Sequence, residues 1–384
     1  MENISRIKEK CVGCKSCEQI CPKHCISMVE SNEGFWYPSV DEKSCIECKL
    51  CLKKCPVENT EFHRNNPQKV WAWRNKNDTD IMRSASGGAA DSAAKTILQM
   101  GGVVYGAAYD EQLVVSHIEV TDEAEREKLQ SSKYVQSDLK DSYAKAKQRL
   151  FEGKTVLFTG TPCQIAGLYA FLGGDQDRLY TVDLVCHGVP SPRFYEAYLC
   201  YQGQKKKEGI EYINFRSKEK WGWGTYYMLK SRTKKETGPL SLDKYGQHFL
   251  KGDCYRECCY LCPYANTNRV GDLTVGDFWS IAQVHPDFYS SKGVSLVFVG
   301  TQKGQQLFNQ MKKYALIESA SIEDAIIRQG NLIRPTIRPL SRNNFYNDLY
   351  RSNFIEKLSY DFVFMEYIKF IMPKQIKLLL KRVL

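Results

Sequence analysis

The chain has 384 residues, of which 43% are hydrophobic, and its 54 basic and 44 acidic side chains give a formal net charge of +10. This length is enough for a large core and for more than one domain. Its 16 cysteines are too sparse for a small disulfide scaffold, and the polar opening residues do not resemble a secretory signal. We therefore expect a cytoplasmic protein whose reduced thiols serve metal binding or redox chemistry.

The positive charge is weak evidence for nucleic acid, because it counts every cysteine as neutral. A cubane iron–sulfur cluster on four thiolates adds about two negative charges. Three such clusters would reduce the net charge to about +4. The sequence also lacks an arginine-rich helix or a recognition-module motif, so we expect no nucleic-acid partner.

Two cysteine phrases near the N-terminus share the spacing C-x2-C-x2-C-x3-C-P. In this pattern three cysteines bind one 4Fe-4S cube and the fourth binds the other cube. The first quartet is predicted to be Cys11, Cys14, Cys17 and Cys55, and the second quartet Cys45, Cys48, Cys51 and Cys21. Zinc is the alternative, although zinc sites usually use two CxxC pairs on separate arms. Residues 1–60 are thus predicted to form a ferredoxin-like module, with a hairpin turning at residues 32–34 and with Cys25 as a packed thiol.

Beyond a polar linker at residues 59–68, strands alternate with helices. In chain order the sequence predicts a strand at KVWAWR, a helix in SASGGAADSAAKTILQMGG, strands at VVYGAAYD and LVVSHIEV, a helix in SDLKDSYAKAKQRLFEG capped by Ser137 or Asp138, a strand at KTVLFTG, a helix at TPCQIAGLYAFLGG capped by Thr161, and strands at LYTVDLVCHG and DLTVGDFW. This alternation favours a larger α/β domain with a mixed sheet over residues 68–310. No dinucleotide-binding G-x-G-x-x-G and no P-loop is present.

Residues 311–384 are predicted to form a helical, basic C-terminal extension. The tail from Phe362 is interrupted by charged residues and Pro373, so it is not a membrane span. Its amphipathic, basic pattern admits peripheral contact with an anionic membrane surface. The alternative is a surface helix packed on the body of the protein.

Two single cysteines and one late CxxC pair remain. Cys163 and Cys186 each follow a buried-looking strand at its carboxyl end, where ligands collect in open α/β sheets. The spacing leaves open a third 4Fe-4S cluster, a local zinc site, and a nucleophilic Cys163 with His187 as its base. The zinc site would use Cys254, Cys258, Cys259 and Cys262.

Five segments occur together in an order that resembles a known family. They are RSASGGAA from Arg83, TGTPCQIAGL from Thr159, VDLVCHGVPSP from Val182, FRSKEKWGWG from Phe215 and CYLCPYANTNRVGDLTVGDFW from Cys259. With the module in front, residues 3–300 are similar to the coenzyme F420 hydrogenase/dehydrogenase beta subunit family. The resemblance implies one FAD and a third 4Fe-4S cluster. The ligands that it implies, termed the third quartet below, are Cys163, Cys186, Cys259 and Cys262.

The same resemblance implies a set of flavin contacts. They are Ser86, Gly87, Gly88, Lys133, Tyr134, Thr161, Gln164, Gly188 and Asp277. Glycines at a helix start let backbone N–H groups approach a pyrophosphate, although tight packing is the alternative reason for them. His187 is the candidate catalytic residue, as a proton donor, or else it hydrogen-bonds a neighbouring group. A loop with Arg216, Lys218 and Trp221 would cover the flavin as a lid.

Together these features predict an iron–sulfur flavoprotein oxidoreductase. Electrons would pass between 4Fe-4S clusters, from or to ferredoxin or another redox partner, and a flavin that performs two-electron chemistry on a small-molecule substrate or a deazaflavin. The first alternative is an electron-transfer subunit that serves a catalytic partner and has no substrate of its own. The second is a zinc-bearing thiol enzyme or binding protein.

Overall fold

The computed structural model describes residues 2–59 and 69–358. The N-terminal module begins with a 3-10 helix, Ile4–Lys10. It continues with helices α1 (Ser16–Ile20) and α2 (Leu50–Lys53), and with strands β1 (Ile26–Glu30) and β2 (Trp36–Val40). The two strands pair antiparallel, which confirms the predicted hairpin. Each short helix directly follows a cysteine loop, so the repeated phrases fold alike.

The body is built around a mixed eight-stranded sheet and a separate three-stranded sheet. The strands are β3 (Lys69–Asn75), β4 (Val103–Tyr109), β5 (Val115–Val120), β6 (Val156–Gly160), β7 (Leu179–Leu184), β8 (Ile210–Asn214), β9 (Tyr226–Ser231), β10 (Lys235–Pro239), β11 (Leu273–Asp277), β12 (Ser295–Val299) and β13 (Ala315–Ala320). The large sheet has the order β13-β3-β12-β11-β7-β6-β4-β5. Its centre, β11-β7-β6-β4, is parallel and its flanks are antiparallel. The predicted mixed sheet is confirmed.

Helices pack on both faces of the large sheet and against the three-stranded sheet. They are α3 (Asp78–Arg83), α4 (Ala89–Gln99), α5 (Ser142–Phe151), α6 (Pro162–Leu172), α7 (Pro192–Lys206), α8 (Lys244–Lys251), α9 (Ile281–Val284), α10 (Gln302–Met311), α11 (Ile322–Ile326) and α12 (Phe354–Lys357). Further 3-10 helices span Glu123–Leu129, Leu240–Leu242, Glu257–Leu261, Pro286–Phe288, Lys312–Tyr314, Gly330–Leu332 and Leu340–Asn344. Successive side chains of a strand point to opposite faces of the sheet, so neighbouring residues pack into different cores. Leu157 of β6 packs with α4 and α10, and Phe158 packs with α5 and α6.

An aromatic core joins the module to the body. Phe35 of the module hairpin, Phe194 of α7, Tyr245 of α8 and Tyr346 are all buried in one cluster. The rings of Phe35 and Tyr346 meet edge to face with centroids 5.8 Å apart. Aromatic rings bury large apolar areas and favour this arrangement, so the module and the body share a continuous core.

Three features differ from the sequence predictions or lie beyond their test. Helix α5 begins at Ser142 after Asp141, not after Ser137 or Asp138. Within the extension predicted to be helical, β13 is a strand that pairs with β3 at the sheet edge. The basic tail from Phe362 lies outside the described residues. Within the part that is described, no helix is long and apolar enough to span a bilayer.

Candidate iron–sulfur and flavin site

The first quartet lies around one cavity inside the module. Cys11, Cys14, Cys17 and Cys55 all line this cavity, together with apolar side chains that include Ile4 and Ile7. Each of the four cysteines is at most 8% exposed. Burial, with the nearby thiols of Cys55 and Cys17, raises the pKa of Cys14 well above its usual range. Four converging thiols in an apolar shell are the donor set that suits a 4Fe-4S cube.

The second quartet is closer to solvent. Cys48 is exposed, Cys45 and Cys51 are half-buried, and Cys21 is buried. Cys51 interacts electrostatically with Cys48 and Cys45. The Sγ atom of Cys21 lies 3.4 Å from that of Cys25, and burial together with Cys21 and Cys45 raises the pKa of Cys25 to about 12. Cys25, predicted as a packed thiol, is therefore buried beside this quartet.

The third quartet forms at the carboxyl edge of the parallel strands. Cys163 stands in the first turn of α6 after β6, and Cys186 follows β7. The CxxC loop is tied to the same edge, because the Arg256 N–H donates to the Val189 carbonyl over 3.0 Å. Burial and the thiols of Cys262 and Cys186 raise the pKa of Cys163.

Cys259 completes this gathering of thiols. Cys186 also interacts electrostatically with Cys259, so the structure brings all four predicted positions together. The raised pKa of Cys163 is the opposite of what a nucleophilic thiol needs. Within residues 2–59 and 69–358, no three His, Cys, Asp or Glu side chains converge closely enough to hold a single metal ion.

The first and third quartets adjoin through helix α6. A Cβ atom added at Gly167 would lie 2.8 Å from the Cβ and 3.1 Å from the Sγ of Cys14. Gly167 follows Cys163 by four residues, so the two positions share one face of the helix. Cys14, Cys163 and Cys262 pack in the same apolar cluster, and Tyr264 interacts electrostatically with thiols of both quartets.

The Ser86-Gly87-Gly88 turn sits between strands and the start of α4. The hydroxyl of Ser86 donates to the Val294 carbonyl over 2.7 Å. A Cβ at Gly87 would lie 2.1 Å from the Trp73 carbonyl oxygen, so close backbone packing is by itself a reason for this glycine. Gly88 takes a left-handed conformation, with φ +86°, as the residue before α4.

Two lysines place their ammonium groups against backbone carbonyls, and one of them, Lys218, does so at this turn. Lys218 Nζ donates to the carbonyls of Ile81 and Ser86 over 2.6 and 2.5 Å. Lys133 Nζ donates to the Gln130 carbonyl over 2.7 Å. Desolvation lowers the pKa of each lysine to about 7, although Lys133 keeps some exposed surface. In the described part of the chain neither ammonium group has a carboxylate within 4 Å, so each can accept an anionic ligand.

The loop that was predicted to be a lid is largely buried. Arg216 and Lys218 are each 3% exposed. Arg216 forms two hydrogen bonds to Asp277, of 2.7 and 2.6 Å, and Asp277 also accepts from Trp223 Nε1 over 2.7 Å. Trp221 is half-buried. Asp277 and backbone carbonyls hold the charged groups of Arg216 and Lys218 beneath the surface, and a role of this loop as a lid stays a prediction.

Tyr134 joins this charged group. Its ring stacks on Phe249 with centroids 4.1 Å apart, and its hydroxyl lies 3.4 Å from Arg216. Thr161 and Gln164 bond mainly to each other, because Gln164 Oε1 accepts from the Thr161 N–H over 2.9 Å and from its hydroxyl over 3.1 Å. These bonds cap α6 and thereby orient Cys163.

His187 lies between the third quartet and the Arg216–Asp277 pair. Desolvation lowers the pKa of its ring below the usual value, and Asp277 and Arg216 both act on it electrostatically. The residue keeps exposed surface. Gly188 follows with φ +136°, and a Cβ there would meet the ring of Tyr255 at 2.3 Å. The backbone at Gly188 is therefore packed directly against the Tyr255 ring.

Sequence reasoning missed residues that connect these parts, chiefly Arg256, Gly167 and Tyr264. The signal for Arg256 was present, since it is the arginine inside the run CYRECC. Its partners, however, lie more than a hundred residues away along the chain. No spacing rule identifies contacts of that kind.

Two segments of the chain match known protein families. Residues 10–59 match the model of the 4Fe-4S dicluster domain, and residues 153–325 match that of the C terminus of the coenzyme F420 hydrogenase/dehydrogenase beta subunit. A search of curated proteins found no relative. Among solved structures, a chain of the xenon-derivatized F420-reducing NiFe hydrogenase complex from Methanosarcina barkeri is similar, with 14% identity, a TM-score of 0.49, and coverage of 75% of this chain and 94% of that chain.

The fold and the cysteine phrases define an iron–sulfur protein of electron transfer, with two 4Fe-4S clusters in its N-terminal module. Its body carries the C-terminal domain of the coenzyme F420 hydrogenase/dehydrogenase beta subunit family, a component of oxidoreductases. The resemblance predicted from the five segments is confirmed.

Proposed function

We propose that the chain is an iron–sulfur flavoprotein oxidoreductase with three 4Fe-4S clusters and one FAD. When bound, the flavin would exchange single electrons with the clusters and a hydride equivalent with a small-molecule substrate or a deazaflavin. In this proposal the predicted quartets hold the clusters, and residues 68–310 hold the flavin.

The contact between Cys14 and helix α6 carries this proposal. The hypothetical Cβ at Gly167 lies 3.1 Å from Cys14 Sγ, and Cys163 is one helical turn away. A side chain at this position would separate the two quartets. Glycine at this position therefore permits a close approach of the first and third quartets. Such an approach suits electron transfer, and a contact that only joined two domains would not require it.

Lys218, which contacts Ser86, and the separate Lys133 each fit a cofactor that carries phosphates. The Lys218 and Lys133 ammonium groups have carbonyl partners only and no carboxylate within 4 Å among the described residues. A buried cation without an anion is costly, and a pyrophosphate would relieve that cost. The proposal assigns Lys218 and Lys133 to anion binding, and Asp277 with Arg216 to orienting the rest of the cofactor.

The remaining parts of the proposal concern the two ends of the electron route. The exposed Cys48 places the second quartet where ferredoxin or another redox partner could approach. At the opposite end, the lowered pKa of His187 keeps its ring neutral at pH 7. A neutral imidazole can hydrogen-bond a substrate and accept a proton from it, so we assign His187 to proton transfer with the substrate.

Anaerobic purification with iron, sulfide and flavin analysis tests the proposal. We expect about twelve irons for three 4Fe-4S clusters and one FAD per chain. The variant Cys163→Ser should lose about four irons, while Cys200→Ser, which alters an exposed cysteine outside the quartets, should lose none. A wild-type chain with about eight irons, or with zinc only, would contradict the three-cluster assignment.

A donor screen then separates the proposal from its alternative. An oxidoreductase with its own substrate should couple a reduced ferredoxin or viologen to the turnover of a metabolite or a deazaflavin. If the fully loaded chain reduces dyes but turns over none of the substrates tested, it acts as an electron-transfer subunit for a catalytic partner.

A further inference from the structure

Arg256 is a fully buried cation at the junction of the module and the body. Its Nε donates to the Cys11 carbonyl over 2.6 Å, and its Nη2 donates to the Trp36 carbonyl over 2.8 Å. Its Nη1 donates to Gln136 Oε1 over 3.1 Å. The guanidinium also lies 4.2 Å from the ring centroid of Tyr37. These partners are neutral, and among residues 2–59 and 69–358 no carboxylate lies within 4 Å of it.

The other deeply buried arginines differ in this respect. Arg342 pairs with Glu33, Arg269 with Asp183, and Arg216 with Asp277. A buried charge is normally paired, since leaving it unpaired in a medium of low dielectric is costly. An arginine that has no carboxylate partner among the described residues therefore points to a missing anion.

The neighbouring thiols identify that anion. Arg256 interacts electrostatically with Cys11 of the first quartet and with Cys259 of the third quartet. Cys258, which belongs to neither quartet, hydrogen-bonds Cys259 and Arg256, and both contacts lower the pKa of the Cys258 thiol. A cube on four thiolates carries a net negative charge of about two, so clusters on both sides would supply the counter-charge that no carboxylate provides.

We propose that Arg256 is the shared counter-ion of the first and third clusters and that it raises the reduction potentials of both. This inference rests on the proposed function, because it needs a cluster in each quartet. Each reduction adds one negative charge, and a fixed cation in a water-poor junction stabilises the reduced state more than the oxidised one. Arg256 thus acts as a positioning residue that holds the Cys11 loop on the body. Its charge also stabilises the reduced state of the two clusters at the junction of the module and the body.

Redox titration of the anaerobically purified full chain, followed by EPR, tests this role. In Arg256→Gln we expect the midpoint potentials of two clusters to shift downward while the third stays unchanged. Arg256→Lys retains the charge, although it loses the planar set of donors, and should stay near the wild type. Arg342→Gln is the matched control, because it also removes a buried arginine that holds the module but whose charge is paired with Glu33.

A second variant keeps the test decisive if Arg256→Gln does not fold with its clusters. Gln136→Glu places a carboxylate on the atom that accepts from Arg256, and it should lower the same two potentials while the arginine remains. Unmoved potentials in a fully loaded Arg256→Gln or Gln136→Glu chain would overturn the inference, as would an equal shift in Arg342→Gln. A wild-type chain that lacks the third cluster would instead overturn the proposed function, and its iron content shows this before any variant is made.

Discussion

The two cysteine phrases have the same spacing, yet the structure gives the quartets that they form opposite surroundings. In the first quartet all four cysteines are at most 8% exposed, and Cys14 packs against α6. In the second quartet Cys48 is exposed and Cys45 and Cys51 are half-buried. Spacing therefore selects which thiols can share a cube, while the docking of the module decides which cube faces the body and which faces solvent.

The docking contacts explain this asymmetry. On the side of the first quartet they come from the loop that contains the first cysteines: Lys15 pairs with Asp138 over 2.6 Å, and the Val12 carbonyl accepts from Gln136 over 3.2 Å. Hydrogen bonding and solvent exposure are among the factors that set the potential of an iron–sulfur cluster. Two cubes with the same ligand pattern are consequently expected to differ in potential and in sensitivity to oxygen.

The largest effect is expected where the first quartet meets the body. Gly167→Leu would drive a side chain into Cys14, whose Cβ is 2.8 Å from the position of an added Cβ. Misplacement of reacting groups by about 1 Å can cost about 100-fold in rate, and we expect a loss of this order in the reduction of the body by electrons that enter through the module. Stopped-flow absorbance with a reduced ferredoxin as donor measures that rate.

Gly209→Ala is the matched control for this variant. An added Cβ at Gly209 meets nothing within 4 Å, so its rate should equal that of the wild type. A Gly167→Leu chain that retains all its iron and transfers electrons at the wild-type rate would show that the route does not pass through the contact with α6.

Exposure to air should separate the two quartets of the module. Because Cys48 is exposed and the first quartet is buried, brief oxygenation should remove about four of twelve irons, those of the second cluster, in a fast phase. Iron analysis and EPR at successive times measure the two phases. A single phase that removes both clusters at the same rate would contradict the exposure argument.

The sequence predicted the parts of the structure whose residues are close together along the chain, and it missed parts that depend on contacts between distant residues. The quartets of the module were assigned from residues within one short segment, and six of the eight strands of the large sheet from local apolar runs such as KTVLF. The apolar run SLVFV of β12 was not assigned to a strand. Strand β13, ALIESA, was also missed, because it gains its place at the sheet edge by pairing with the distant strand β3. The burial of Arg216 and Lys218 depends on Asp277 and on the turn at Ser86, which no local pattern connects to their loop.

A smaller effect is expected at the paired arginine that holds the module hairpin. Arg342 Nη1 and Nη2 donate to Glu33 over 2.8 and 2.6 Å, and Arg342 is buried. Glu33→Gln leaves this cation without its carboxylate, and we expect a loss of about 1–3 kcal/mol in the local opening free energy of the hairpin. Hydrogen exchange of the β1 and β2 amides measures it.

Glu257→Gln serves as the comparison for Glu33→Gln. It removes the more distant carboxylate of Arg342, 3.8 Å away on the body. Hairpin exchange should change less in this variant than in Glu33→Gln. Equal exchange rates in Glu33→Gln and the wild type would show that Arg342 does not hold the module through Glu33.

The smallest effect is expected at the half-exposed Arg193, which forms two hydrogen bonds to Glu30 of the hairpin, of 3.0 and 3.1 Å. Pairs of this kind contribute up to about 1 kcal/mol, so Glu30→Gln should increase hairpin exchange only slightly.

The hydrogen bonds from Arg193 lower the pKa of Glu30 below its usual value of 4.5. The folded state therefore binds this proton less readily than the unfolded state, and the stabilisation is fully present above pH 4.5 and lost as the pH falls through the lowered pKa. Glu196→Gln removes another partner of the same arginine, one that lies within α7, and it should leave hairpin exchange unchanged. If Glu30→Gln accelerated hairpin exchange as much as Glu33→Gln, burial of the arginine would not explain a difference in stability between the two ion pairs.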